Sequence, residues 1–318
     1  VNPTLSSPPP RIVVLGSLNM DIVLRVPHAP DAGETLQGRS IAHIPGGKGG
    51  NQAVSCARQG ARVDLVGCVG DDAHGRALRD ALAADGIDTA GVRTVADTPT
   101  GTALVMVDDA AQNRIVVIAG ANSHVDIDVP ALADRLAGAA FLVMQFETPL
   151  AQVGLALQAA QRSACKVMLN PSPMQPVADA WWPLIDTLVV NEIEARMLSG
   201  LPADTPAEAA RAAQALRARG VARVAVTLGA RGAVAVDADG ARHHAAPVVE
   251  AVDTTAAGDT FLGALAVALG SGGNSFDMAV SLGIRAAALC VTQPGAQPSI
   301  PQRDAVLRSP PTAPWTVL

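Results

Sequence analysis

The strongest constraint on this chain lies in its second half, where short apolar runs alternate with segments of helical period. Phe141 to Gln145, Lys166 to Asn170, Thr187 to Val190 and Val221 to Leu228 read as strands. Leu150 to Gln161, Glu192 to Leu198 and Ala207 to Ala218 read as helices between them. Strands with little polar alternation, separated by helices, predict a parallel sheet covered on both faces. Gly232 to Asp237 adds a strand, and helices follow near Gly258 to Leu269, Phe276 to Val291 and Gln302 to Leu307. The first half supplies the strands Arg11 to Leu15 and Val63 to Gly67, a helix from Gly50 closed by Gly60, and a helix from Ala73 to Ala84 closed by Gly86. Asp21 to Val26, Thr35 to Ile44, Thr102 to Val107 and Arg114 to Ala119 do not fit that sheet, being short, half-polar and hairpin-like. The expected architecture is α/β, a three-layer sandwich with a mostly parallel central sheet over 11–318. A small β lid is expected to be inserted at about 20–45 and 98–118, and residues 1–10 form a Ser/Pro-rich tail expected to be disordered.

Composition narrows the function classes. Of 318 residues, 49% are apolar and 16% charged, the opposite of a disordered chain. The net charge of −6 gives no basic footprint for nucleic acid. Tyrosine is absent, which disfavours surfaces that stack bases or sugars. Phe261 to Leu269 is far short of the roughly 20 apolar residues of a membrane span, and the N-terminal residues lack the pattern of a secretory leader. Cys56, Cys68, Cys165 and Cys290 show no zinc-type spacing and read as buried reduced thiols, so a cytoplasmic protein is expected.

Two segments carry most of the chemistry. Gly46-Gly-Lys-Gly-Gly-Asn-Gln-Ala-Val54 packs four glycines around a lysine just before a helix, which allows backbone to approach an anion at the helix N-terminus. It is neither a Walker A loop, with Ala42 and Gly49 at the required positions, nor Gly-x-Gly-x-x-Gly, with Gln52 at the last one. Val252-Asp-Thr-Thr-Ala-Ala-Gly-Asp-Thr-Phe261 leaves small residues and free N–H groups at another helix start, with Asp259 able to take a proton or simply to cap the helix. Asn191 and Glu194 share a helix face after a strand, which a capped helix start also explains. Thr227-Leu-Gly-Ala-Arg-Gly232 and Gly16-Ser-Leu-Asn-Met-Asp21 follow strand ends, and so does Glu147. The histidines form no His-x-x-x-His pair and are given no metal role.

In this order the segments resemble the ribokinase-like family of carbohydrate kinases, from about Arg11 to Leu307. Gly46 to Ala53 and Asp253 to Phe261 match its two signatures, and Met144-Gln-Phe-Glu-Thr-Pro and Gly295-Ala-Gln-Pro-Ser add shorter matches. The resemblance implies transfer of the ATP γ-phosphoryl group to the 5-hydroxyl of D-ribose. It also implies a homodimer paired through the lids. Asn19, Met20, Asp21, Gly47, Lys48, Asn51 and Glu147 would hold the sugar, and Asp259 would be the base. The N–H groups of Ala256, Ala257 and Gly258 would hold the developing charge. Asn191, Thr227, Leu228, Gly229, Ala230, Arg231, Gly232, Gly258 and Ile284 would face the nucleotide, and Glu194 would act through water on Mg2+. Asp253, Thr255, Cys290, Gln293, Gly295 and Ser299 would surround an activating K+. Ile284 departs from the pattern, taking a position where a histidine can lie beside the adenine. A kinase of 2-deoxyribose or another sugar is the near alternative. A non-catalytic binder on the same fold is the remote one, since it has no use for a base at Asp259.

Overall fold

A computed structural model describes residues 8–110 and 112–318. The expected disordered tail at 1–10 therefore lies largely outside the described residues. Ten strands form the main sheet. Seven of them run parallel: β1 (Arg11–Leu15), β4 (Arg62–Gly70), β5 (Asp88–Val95), β8 (Phe141–Gln145), β9 (Lys166–Asn170), β10 (Thr187–Asn191) and β11 (Arg223–Thr227). Antiparallel β12 (Ala233–Asp237), β13 (Gly240–His244) and β14 (Thr316–Val317) extend one edge. The order is β14-β13-β12-β11-β10-β9-β8-β1-β4-β5. Successive strands step away from β1 on one side and from β8 on the other, so the sheet reverses direction between these two. Ligands of open α/β sheets sit at the carboxyl ends of the strands flanking such a point.

Alternation in the strands divides the core into two layers, because successive side chains point to opposite faces. Ile12, Val14, Phe141 and Val143 face α1 (Lys48–Arg58), α2 (Ala73–Ala84), α7 (Ala257–Gly270) and α8 (Phe276–Cys290). Val13, Leu15, Leu142 and Met144 face α3 (Val129–Leu136), α4 (Leu150–Arg162), α5 (Glu192–Ser199) and α6 (Pro206–Arg217). The result is the expected three-layer sandwich. β5, β13, β14 and α3 are additions to the sequence reading; β5 and β13 are half-polar, and α3 spans only eight residues.

A second sheet of four strands has the order β3-β2-β6-β7, formed by β2 (Asn19–Arg25), β3 (Ser40–Gly46), β6 (Gly101–Val107) and β7 (Asn113–Ile118). β1 runs into β2 through only Gly16, Ser17 and Leu18, and β3 runs into α1 through Gly47, so both connections lie above the carboxyl end of β1.

α1 and α7 cross at very short range. A Cβ on Gly263 of α7 would lie 2.2 Å from Ser55 Oγ and 2.9 Å from the backbone nitrogen of Cys56 on α1. The Ser55 hydroxyl donates to the Thr260 carbonyl at 3.0 Å. Gly263→Ala is expected to cost about 1–3 kcal/mol in urea unfolding, since backbone on the facing helix must retreat. Unchanged stability would show that the crossing is looser than described.

Candidate active site

The Gly46–Gly47 turn brings β2 and α1 together. Asp21 lies opposite Ile44 in the β2–β3 pair, and its carboxylate lies against Gly46, where a Cβ would be only 2.3 Å from Asp21 Oδ2. Gly47 has φ +84°, and a Cβ there would meet Asn19 N at 2.7 Å. Any other residue would be strained twice, by conformation and by contact. Gly47 provides no side-chain cap, so the first N–H groups of α1 are available to side chains. Lys48 N donates to Glu147 Oε2 at 3.0 Å, and the Ser17 hydroxyl donates to the same oxygen. The ends of β1 and β8 are thus joined across the point where the sheet reverses.

Asp259 stands in the first turn of α7, 6% exposed. Asn51 Nδ2 donates to its Oδ2 at 3.0 Å, and Gln52 Nε2 donates to its Oδ1 at 2.8 Å. The residue before α7, Ala256, takes a left-handed φ of 60° that a side chain rarely adopts, and no side chain caps the helix. Ala257 N–H turns back to the Thr254 carbonyl at 3.3 Å. The Gly258 N–H makes no such turn bond among the described residues, and a Cβ on Gly258 would meet nothing within 4 Å. A helix start shaped this way favours negative charge.

Asp21, Glu147 and Asp259 lie close enough to act on one another. Burial, then the charges of Glu147 and Asp259, push the Asp21 carboxyl up to about 7. Burial opposes the charge on Lys48, but Asp259, Glu147 and Glu194 outweigh it and hold the ammonium above its ordinary range.

A cavity of about 700 Å³ opens from Lys48 and Asp259. It is lined by Asn191, Glu194, Thr227, Gly229, Ala230, Gly232, Ala256, Ala257, Gly258 and Ile284, as expected, and also by Asn170, Ala246, Pro247, Val248 and Val249. Ile284 and Ala287 of α8 and Val248 make part of its lining apolar, suited to a flat heterocycle rather than to a charged group. Asn191 and Glu194 also form a capping box, Asn191 Oδ1 accepting from Glu194 N at 2.8 Å and Glu194 Oε2 accepting from Asn191 N at 3.0 Å. The bland explanation of this pair therefore holds alongside their place in the cavity wall.

Three of the expected residues turn their side chains away from the cavity. Met20 alternates with Asn19 and Asp21 on β2, so its side chain enters the core, 3% exposed. Leu228 packs into the opposite core layer. Arg231 turns outward to the Asp204 carbonyl and Glu192 Oε1. The residues around Asp253 lie just before the start of α7. Asp253 Oδ1 accepts from Thr255 N at 2.9 Å and Thr255 Oγ1 at 2.6 Å, and Oδ2 accepts from Gly295 N at 2.9 Å. Burial alone would raise this carboxyl, but these bonds hold it below its ordinary value. Cys290 Sγ lies 3.1 Å from Ser299 Oγ, and Gln293 N–H bonds to the Cys290 carbonyl at 3.1 Å.

Ser17, Gln52, Asn122 and Gln145 were not singled out from sequence. Asn122 Nδ2 donates to Asn19 Oδ1 at 2.8 Å and orients it. The available signal was polarity on an apolar helix face, since Gln52 sits beside Ala53 and Val54 and a buried amide needs partners.

The model of the pfkB family carbohydrate kinases matches residues 9–303. The chain belongs to this family. Among PfkB kinases, a ribokinase of Haemophilus influenzae is 42% identical, the match covering 93% of this chain and 97% of that protein. A deoxyribokinase of Salmonella typhi is 34% identical, over 91% of this chain and 95% of that protein. The structure of Arabidopsis thaliana ribokinase complexed with ribose and ATP superposes with a TM-score of 0.88 at 33% identity, covering 94% and 98% of the two chains.

Asp21 supplies a pH test of the site. Its folded pKa, about 7, lies above its ordinary 3.8, so the folded protein keeps a proton that the unfolded chain has lost. That contribution to stability is complete below the ordinary value and is lost as pH rises through about 7. Asp21→Asn should therefore gain stability over the parent progressively from about pH 4 to 7, then level off. A difference that does not vary with pH in thermal unfolding would contradict the placement of this carboxyl.

Proposed function

We propose that this PfkB kinase transfers the γ-phosphoryl group of ATP to the 5-hydroxyl of D-ribose. The observation that carries this reading is the convergence of Asp259 and the uncapped start of α7 on the Asn19–Asp21–Lys48 pocket. Asp259 takes the proton of the attacking hydroxyl. The N–H groups at Ala256 to Gly258 and the Lys48 ammonium hold charge on the transferring group. Phosphoryl transfer asks mostly for such positioning and charge stabilisation.

Ribose is favoured over its 2-deoxy analogue by the polar pocket wall. Asn19, held by Asn122, and Asp21 are built to bond hydroxyls, and a site of that kind rejects an analogue lacking one. The identity to the Haemophilus influenzae ribokinase is also higher than to the deoxyribokinase.

Glu194 faces the phosphate side of the cavity and fits a magnesium ion that keeps most of its waters and phosphate ligands. Asp253, Ser299 and the carbonyls of Thr255, Cys290, Gln293 and Gly295 form an all-oxygen set suited to a potassium ion. Asp253 Oδ2 has only one protein donor and so one lone pair left for a cation. A bound cation there would add positive charge beside the anion site.

The smaller sheet serves as the lid and as the dimer contact. β7 is an edge strand exposing Ile115, Val116, Val117 and Ile118 in succession, a liability that a second copy would cover. A sedimenting species of twice 32.2 kDa supports this, and a monomer at low micromolar concentration opposes it. No helix among the described residues is long and apolar enough to cross a membrane, and dependence on ATP together with four free cysteines favours the cytoplasm.

One assay tests the reading, measuring ADP release over a panel of ribose, 2-deoxyribose and hexoses in potassium, sodium and tetramethylammonium salts. Ribose in potassium should give the highest kcat/KM. Asp259→Asn should lower kcat by about 10²–10⁴ while ribose binding persists. Preference for another sugar would replace ribose, equal rates in all three salts would remove the cation site, and near-parent turnover in Asp259→Asn would remove the base.

A further inference from the structure

The base is held by a buried row of amides that reaches back into the sheet. Gln52 is fully buried and lines no part of the cavity. Its Nε2 donates to Asp259 Oδ1 at 2.8 Å and lies 3.5 Å from Asn170 Oδ1. Its Oε1 accepts from Gln145 Nε2 at 2.6 Å. Chemistry sets the direction of the row. A carboxylate only accepts, so Gln52 must turn its NH₂ to Asp259. Asn170 commits its own NH₂ to the Val189 carbonyl at 3.0 Å, so it too presents an acceptor to Gln52. The Gln52 oxygen is then left for Gln145, at the end of β8.

We propose that Gln52, locked in this orientation by Gln145 and Asn170, is a positioning residue that fixes the Asp259 carboxylate for proton transfer from the sugar hydroxyl. The proposal rests on the reading of Asp259 as the base. Asn51 already holds Oδ2 at 3.0 Å. With Gln52 on Oδ1, both oxygens are tethered and the carboxylate cannot rotate, while each oxygen keeps a lone pair for substrate. Asn51 belongs to the proposed sugar-holding set, and its Oδ1 has no partner among the described residues. Gln52 has no exposed atom through which to touch substrate, so its effect passes through Asp259. Donation from Gln145 to the Gln52 oxygen polarises the amide and strengthens its own N–H donor. The row also ties the base on α7 to the end of β8, beside the point where the sheet reverses.

The test compares Gln52→Met, Gln145→Met, the double variant and Asp259→Asn, each with thermal unfolding alongside steady-state kinetics. Gln52→Met should lower kcat about 10–100-fold, the scale of a small misplacement of a reacting group, with ribose KM within about threefold. The pH profile of kcat should change with it, since Gln52 acts on the group that takes the proton. Gln145→Met should lower kcat by about three- to tenfold, and the double variant should match Gln52→Met alone, since the first acts through the second. Should Gln52→Met fail to fold, Gln145→Met decides by the same split of kcat from KM, because it leaves both direct donors to Asp259 in place. Parent-like kcat and pH profile in Gln52→Met, with Asp259→Asn inactive, overturns the positioning role while leaving the base intact. Losses that multiply in the double variant also overturn it. Parent-like turnover in Asp259→Asn overturns the underlying reading and this role with it.

Discussion

The site depends on the close crossing of α1 and α7. Gly263 lets the helices approach until Ser55 Oγ reaches the Thr260 carbonyl. That approach brings their first turns together, so that Asn51 and Gln52 of α1 reach Asp259 of α7. At the α1 start the N–H groups of Lys48, Gly49 and Gly50 are taken by Glu147 and Ser17, so of the two it is the α7 start that is left to favour negative charge. The same crowding assembles Asp21, Glu147 and Asp259. Asp21 is the most affected, since burial and the charges of the other two act on it. Asp259 receives two amide donors and Glu147 receives Ser17 and a backbone N–H, whereas Asp21 is pushed up to about 7.

The sheet explains why these parts meet where they do. Its direction of growth reverses between β1 and β8, and chain ends at that boundary diverge to opposite sides. Ser17 and Glu147 close the resulting crevice, and the smaller sheet rises directly from it through β2 and β3. Polar residues that appear scattered in the sequence, at 17, 52, 122, 145 and 170, are neighbours because strand ends gather there.

Architecture was legible in the sequence where period and capping agreed. Ala73–Ala84 is bounded by Asp72 and Gly86, and Phe141–Gln145 is an apolar run, and both have the expected limits. β13 was invisible because Gly240–His244 reads as a polar turn. Its Arg242 and His244 are buried only because Asp237 and Asp277 satisfy them from other elements. The glycines around Lys48 and the small residues before Asp259 drew attention to two helix starts, and the structure brings these together through Asn51, Gln52 and Asp259. What the sequence withheld was direction. Met20 was grouped with Asn19 and Asp21, although a strand turns alternate residues away. Gln52 passed as part of an apolar helix face because its partners are about 90 or more residues distant along the chain.

The central claim is that Asp259 and the start of α7 address the same point in space as the sugar hydroxyl. A crystal structure with ribose and a non-hydrolysable ATP analogue measures this directly. The account predicts the ribose 5-oxygen within about 3 Å of an Asp259 carboxylate oxygen, with the terminal phosphate against the N–H groups of Ala256 to Gly258. Ribose seated with its 5-hydroxyl turned away from Asp259, or a terminal phosphate bound away from α7, would contradict it.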